Sequence, residues 1–138
     1  MIRQKFTLNS YGWIIYAYYV VTKPNADEIL ENLVGIGCDG DTLQRAYRNL
    51  TSGNLDTGLT YSNIDTRETV MVISATSSAK EFQKSYKHET GHLQSHIAQT
   101  FGIDPHGEEI QYIGDDIIES TWEIAKNLLC EHCREKHI

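Results

Sequence analysis

The chain has 138 residues, of which 40 % are apolar and 22 % are charged, and these values are typical of one globular domain. We therefore predict a single domain over residues 1–138. Asp and Glu number 19 against 12 Lys and Arg, so the net charge is −7. This argues against a nucleic-acid-binding protein, which needs a basic surface. No run of about 18 apolar residues occurs, so we expect no membrane-spanning helix.

The N-terminal apolar run, Trp13–Val21, could be mistaken for a secretion signal. It is aromatic and β-branched, and Thr22-Lys23-Pro24 follows it in place of a small-residue cleavage site. We therefore predict a β-strand here, preceded by a short strand at Phe6–Leu8 and a turn at residues 9–12. Without an export signal, a cytoplasmic location is expected.

The next segment predicts two helices, a loop and a strand. Asn25 stands three residues before Glu28, a capping-box spacing that predicts the start of the first helix. The second helix is expected over residues 41–50. Residues 51–63 are rich in Gly, Asn, Ser and Thr, which predicts a loop, and Thr69–Ser74 predicts a strand buried on both faces.

The C-terminal half predicts two long helices joined by a short turn. Ser78, three residues before Glu81, is the expected N-cap of the first helix, and Gly102 ends it. Asp104-Pro105 resembles an N-cap followed by Pro at the first helical position, so the second helix is expected to begin there and to run to about Cys130. The predicted fold class is therefore α+β, with a small antiparallel or mixed sheet packed on about four helices.

His88-Glu89-Thr90-Gly91-His92 is an HExxH motif inside the first of these two helices. Residues four apart lie one turn apart on the same helix face, so both imidazoles can reach one cation. Zinc binds imidazole nitrogen, and the intervening Glu can take a proton from a metal-bound water. The motif predicts a Zn²⁺ site with His88 and His92 as ligands and Glu89 as the catalytic base. The alternative is a pair of histidines on a solvated helix face.

A catalytic zinc ion needs a third protein ligand. Glu108 and Glu109 are expected at the start of the next helix, and because consecutive helices joined by a short turn should pack together, both are candidates. Helical spacing alone does not decide between them. His96, four residues after His92, is an alternative ligand, although three ligands along one helix are strained around one small ion. His96 could instead polarise a substrate or contact a carboxylate.

The motif followed by an acidic residue on the next helix resembles the gluzincin metallopeptidases, and the chain's size is most similar to the minimal gluzincins. Residues 87–117 also resemble small HExxH proteins encoded by phages and prophages. In those proteins a Glu stands four residues before a Tyr-Leu or Tyr-Ile pair. Tyr112-Ile113 is that pair here, so the resemblance implies Glu108 as the third ligand. Ser95 and Ala98 stand where the metzincin pattern needs Gly and His, which excludes that branch.

The resemblance implies a zinc-dependent metallopeptidase, a hydrolase that acts on a peptide or protein substrate. Thr69–Ser74 would lie at the edge of the cleft and pair with an extended peptide, with an internal core strand as the alternative. Tyr112, ahead of Tyr86 and His96, would stabilise the oxyanion. The second hypothesis is a non-catalytic phage or prophage protein, structural or peptide-binding, that keeps a zinc-stabilised site. A phage-encoded chain could also reside within the phage particle.

The three cysteines include a CxxC pair, Cys130 and Cys133, near the C-terminus. With no export signal, all three are expected to be reduced thiols. A structural zinc site needs four ligands, and Cys130, Cys133 and His137 together with Cys38 could supply them. We expect instead a reduced helix end at the surface.

Overall fold

The computed structural model describes residues 1–53 and 55–135. Four strands form one mixed sheet in the order β1-β2-β4-β3, and only the central pair, β2 and β4, is parallel. The strands are β1 (Ile2–Leu8), β2 (Trp13–Val21), β3 (Gly58–Asn63) and β4 (Glu68–Ser74). The helices are α1 (Ala26–Gly35), α2 (Gly40–Ser52), α3 (Ala79–Thr100), α4 (Glu108–Leu128) and α5 (Glu131–Arg134), with short 3₁₀ turns at Asn9–Tyr11 and Lys23–Asn25. The predicted α+β class is confirmed, and within the described residues no helix is long and apolar enough to cross a membrane.

Helices cover both faces of the sheet and enclose two cores. The residues of β4 show this division, because Met71 and Ile73 point into the core beneath α3 and α4, whereas Val70 and Val72 point into the core beneath α1 and α2. All four side chains are fully buried. The prediction that this strand is buried on both faces is therefore confirmed.

The segment predicted as a loop, residues 51–63, is where the prediction is wrong, because α2 extends to Ser52 and residues 58–63 form β3. Leu59 and Tyr61 pack against the core beneath α1 and α2, while Thr60 and Ser62 face α3. β3 pairs with β4 along its whole length and forms one edge of the sheet.

The edge position of β3 corrects a second expectation. Thr69–Ser74, proposed as the strand at the cleft edge, lies in β4, and β4 is paired with β2 on one side and with β3 on the other. Its backbone is therefore already engaged in the sheet, and the alternative prediction of an internal core strand is confirmed. The two edge strands are β1 and β3, and β3 is the edge strand that pairs with β4.

The start of α1 differs from the predicted capping box. Asn25 makes no side-chain cap for α1. Its Oδ1 instead accepts a hydrogen bond from the backbone N–H of Thr22 at 2.8 Å, within the preceding 3₁₀ turn. Glu28 forms an exposed ion pair with Arg3 of β1. The helix begins where the Asn25–Glu28 spacing predicts it, but neither side chain caps the helix.

The start of α4 also lies later than predicted, because it follows Gly107 and not Asp104. The oxygens of Asp104 accept hydrogen bonds from two backbone N–H groups, His106 at 2.9 Å and Gly107 at 3.2 Å. These bonds close a turn before the helix begins. Gly102, with a φ of 64°, ends α3 as predicted.

Candidate metal centre

The HExxH motif lies in the middle of α3, and two oxygen atoms fix the N-terminus of this helix. The Ser78 side chain accepts a hydrogen bond from Glu81 N–H at 3.1 Å, which confirms the predicted cap. The Glu131 carboxylate of α5 accepts a hydrogen bond from Ala79 N–H at 2.6 Å. Both oxygens accept hydrogen bonds from backbone N–H groups that have no partner within the helix. The negative charge of Glu131 also interacts favourably with the positive end of the helix dipole.

His88 and His92 face each other on the surface of α3. Their Nε2 atoms are 3.1 Å apart, and their rings meet edge to face with centroids 4.7 Å apart. Two nitrogens bound to one tetrahedral zinc ion at about 2.0–2.1 Å would be about 3.3 Å apart. Both side chains are exposed. The pair therefore has the separation and the access that two ligands of one cation require.

Glu89 is turned away from this surface and lies beneath β3. Its side chain is only 2 % exposed. One carboxylate oxygen accepts a hydrogen bond from Thr57 Oγ1 at 2.6 Å, and the other accepts one from Thr60 Oγ1 at 2.8 Å. These contacts satisfy a buried charge with neutral hydroxyl donors. In this arrangement the carboxylate joins α3 to β3 and does not face solvent beside the histidines.

A glycine at the start of β3 makes this close approach possible. Gly58 has a φ of 150°, and a Cβ atom there would lie 1.8 Å from the Val72 carbonyl oxygen and 3.1 Å from Glu89 Cγ. No side chain fits at this point, because the neighbouring backbone oxygen cannot move without breaking the sheet. Gly58 therefore sets the depth at which β3 lies over Glu89.

His96 belongs to a chain of polar contacts that runs into the sheet. Its Nδ1 lies 2.7 Å from Ser62 Oγ, which lies 2.7 Å from Thr69 Oγ1. Trp13 Nε1 donates to the same Thr69 oxygen at 2.8 Å. Burial, and secondarily the nearby His92, lower the pKa of His96, which favours its neutral form. The contacts fix one nitrogen of His96 within the fold.

The candidate third ligands lie at the start of α4. Glu109 Oε1 accepts a hydrogen bond from the Tyr11 hydroxyl at 3.3 Å, at the end of the sheet where β1 leads into β2. Glu108 is exposed in the first turn of α4. Among residues 1–53 and 55–135, no three His, Cys, Asp or Glu side chains are grouped so that they could hold a metal ion. The structure therefore does not bring either glutamate together with His88 and His92.

The packing of α4 explains this separation. The two helices are neighbours, as predicted, and Gln94 of α3 donates from Nε2 to the Ile110 carbonyl at 2.6 Å and packs against Gly114. At about 100° per residue, Gln94 lies roughly 120–160° around α3 from the two histidines. The surface of α3 that contacts α4 is therefore not the surface that carries the His88–His92 pair.

The structure does not place the tyrosines predicted to stabilise the oxyanion next to the His88–His92 pair. Tyr112 is 57 % exposed on α4. The Tyr86 hydroxyl is buried and lies 2.5 Å from Thr121 Oγ1, and burial raises its pKa. Tyr86 therefore ties α3 to α4 inside the core, and the structure does not bring it to the His pair.

The cysteines of the alternative zinc site are separated by the sheet. Cys38 is 2 % exposed and belongs to the core beneath α1 and α2, whereas Cys130 is exposed where α5 begins, beside the N-terminus of α3. His137 lies outside the described residues. The structure does not bring Cys38 together with the CxxC pair.

The residues present fit part of a zinc site. The His88–His92 pair has the donor chemistry and the spacing for two ligands, but the described residues supply no third ligand beside it. The three-ligand set of a catalytic zinc centre is therefore not assembled in this structure.

No family model, no curated protein and no solved structure matches the chain.

The sequence motifs do not predict three residues that surround the candidate site: Thr57, Thr60 and Ser62. They hold Glu89 and His96 through their hydroxyl groups. A signal was available, because Leu59 and Tyr61 alternate with Thr60 and Ser62 at the period of a β-strand with one apolar face. The high content of turn-forming residues around this short alternation concealed it.

Proposed function

We propose that the protein binds a zinc ion through His88 and His92 and is a peptidase of the HExxH class, with a zincin-like arrangement of metal helix and sheet. The observation that carries the proposal is the 3.1 Å approach of the exposed Nε2 atoms of His88 and His92. Zinc held there would polarise a peptide carbonyl and activate water. Glu89 would act as the general base, and for this role its carboxylate has to leave Thr57 and Thr60.

A second candidate function is a non-catalytic, zinc-stabilised structural or peptide-binding protein, and a specific observation favours it. The Glu89 carboxylate is buried and accepts two short hydrogen bonds from β3, so it already has a structural role. A site that only binds metal has no need of a general base. The two candidates share the His pair and differ in what Glu89 does.

Zinc binding by the pair is tested by calorimetric titration of the full chain after treatment with a chelator. We expect about one zinc per chain, and we expect His92→Ala to weaken binding by at least about tenfold, because one of two imidazole ligands is lost. His106→Ala is the matched control, since His106 is an exposed histidine in the turn between α3 and α4. Zinc binding that is equal in wild type and His92→Ala would overturn the proposed metal site.

Peptidase activity is tested with zinc-loaded protein and a mixed peptide library read by mass spectrometry. Glu89→Gln keeps the size of the side chain but cannot accept the proton, so a peptidase should lose activity by a factor of about 10²–10⁴. Glu81→Gln, an exposed change on the same helix, should leave cleavage unchanged. If wild type cuts no more than Glu89→Gln while both bind zinc, the peptidase proposal is overturned and the non-catalytic candidate is favoured.

A further inference from the structure

The CxxC pair forms a second cluster of reactive side chains, remote in sequence from the HExxH motif. Cys130 is exposed and immediately precedes α5, and Cys133 is half-buried in the same turn. Arg134 N–H donates to the Cys130 carbonyl at 2.9 Å, so the chain is wound into a closed turn here. Cys-X-X-Cys at the start of a helical turn is the spacing found in disulfide-exchanging dithiols.

The groups of this turn lower the pKa of the Cys130 thiol. The largest effect is hydrogen bonding from the Cys133 backbone N–H, followed by that from the Cys133 thiol and from the His132 backbone N–H. Desolvation and the Glu131 charge act in the opposite direction and are smaller effects. An exposed thiol with a lowered pKa carries more of the nucleophilic thiolate at neutral pH.

The turn that carries the two cysteines is held in place from both sides. Glu131, between them, accepts a hydrogen bond from Ala79 N–H at the start of α3. Arg134, which follows them, is 8 % exposed and donates to the Ser77 carbonyl at 3.3 Å and the Thr76 carbonyl at 2.5 Å. The α5 turn is short, but these contacts anchor it to the body of the domain. The backbone that carries both cysteines is therefore held against the N-terminus of α3.

We propose that Cys130 and Cys133 form a redox-active dithiol that exchanges with small-molecule disulfides of the glutathione type. Cys130 is the attacking residue and Cys133 is the resolving residue. The inference is independent of zinc binding by His88 and His92, because it rests on different residues and on a different chemistry.

The exchange takes place in two balanced steps. The Cys130 thiolate attacks one sulfur of glutathione disulfide, forms a mixed disulfide and releases one glutathione thiolate, which takes up a proton. Cys133 then loses its proton and attacks the Cys130 sulfur of the mixed disulfide, releasing the second glutathione. The dithiol is oxidised to an intramolecular disulfide, and one glutathione disulfide is reduced to two glutathione molecules.

The test is intact-mass spectrometry of the full chain, reduced and free of metal, during incubation with glutathione disulfide. Wild type should lose two hydrogens and retain no glutathione. Cys133→Ser, whose hydroxyl can still donate to Cys130, should accumulate one glutathionyl group. Cys130→Ser should react at least about tenfold more slowly than Cys133→Ser, because the activated thiolate is absent.

Two comparisons make the result decisive. In concentrated urea, Cys130→Ser and Cys133→Ser should react at similar rates, because the contacts of the folded turn are lost. Cys38, buried and with its thiol pKa raised by desolvation, should remain unmodified in the folded protein, as shown by peptide mapping. Equal rates for the two variants in the folded state, or wild-type protein that stops at the mixed disulfide, would overturn the proposal.

Discussion

Thr60 donates a hydrogen bond from Oγ1 to Glu89 Oε1 at 2.8 Å, and this contact joins the edge strand β3 to the helix that carries both histidines. Thr57 donates to the other carboxylate oxygen at 2.6 Å. The two bonds compensate for the removal of an ionised group from water. Glu89 therefore has a structural role, whatever further role the HExxH motif gives it.

The Thr60–Glu89 contact predicts a loss of stability in Thr60→Val. Valine has nearly the same shape as threonine but donates no hydrogen bond, so one oxygen of a buried carboxylate loses its donor. We expect the free energy of unfolding to fall by about 1–3 kcal/mol, as measured by urea denaturation. Thr7→Val is the control, because Thr7 is an exposed strand residue of β1, and its effect should be within about 0.5 kcal/mol. Equal effects would contradict the structural role of the contact.

The close approach at Gly58 predicts a larger effect for Gly58→Ala. The new methyl group would overlap the Val72 carbonyl oxygen, so β3 has to move away from β4. We expect a loss of about 3 kcal/mol or more, or failure to fold, in the same denaturation experiment. Gly102→Ala separates this overlap from backbone strain alone. Gly102 also has a positive φ, of 64°, but open space around it, and it should cost only about 1–2 kcal/mol.

Much of the fold could be predicted because its signals are local. The aromatic and β-branched run Trp13–Val21 forms β2 with the predicted bounds, and the Ser78 cap and Gly102 delimit α3 as expected. β3 could not be predicted with the same means. Gly58–Asn63 is short and polar on the face that contacts α3, and its strand conformation depends on pairing with β4 and on hydrogen bonds to Glu89 and His96.

The candidate site also has one feature that local sequence predicts and others that depend on long-range packing. The approach of His88 and His92 follows from the geometry of a single helix, and in the structure their Nε2 atoms are 3.1 Å apart. The surroundings of Glu89 and Glu108 depend on which sides of α3 face β3 and α4, and this is fixed by long-range packing such as the Gln94–Ile110 contact. A motif read along one helix contains no information about that choice.

Gly91 lies inside the HExxH motif, and replacing it with alanine should change the stability of the protein without changing the metal site. It lies in the middle of α3, and a Cβ atom there would meet no neighbouring atom within 4 Å. Gly91→Ala should therefore raise the free energy of unfolding by about 0.5–1 kcal/mol, because alanine favours the helix. The melting temperature should rise while zinc affinity stays the same. A fall in stability would show that Gly91 faces a contact that the structure does not contain.

The third ligand remains a prediction of the resemblance, and two adjacent glutamates test it. The resemblance predicts that Glu108→Ala weakens zinc binding by about tenfold or more, because the charge and one donor atom of the metal site would be lost. The structure, which does not place Glu108 beside His88 and His92, predicts little change. Glu109→Ala should have little effect on the metal, because the Glu109 carboxylate accepts a hydrogen bond from the half-buried Tyr11. Zinc titration of both variants, with His92→Ala for comparison, measures the loss of affinity at each position. A larger effect at Glu109 would show that Glu109, and not Glu108, is the third ligand. If neither glutamate matters while His92 does, the ion is held by the pair without a carboxylate from α4, as the contacts of Gln94 with that helix indicate.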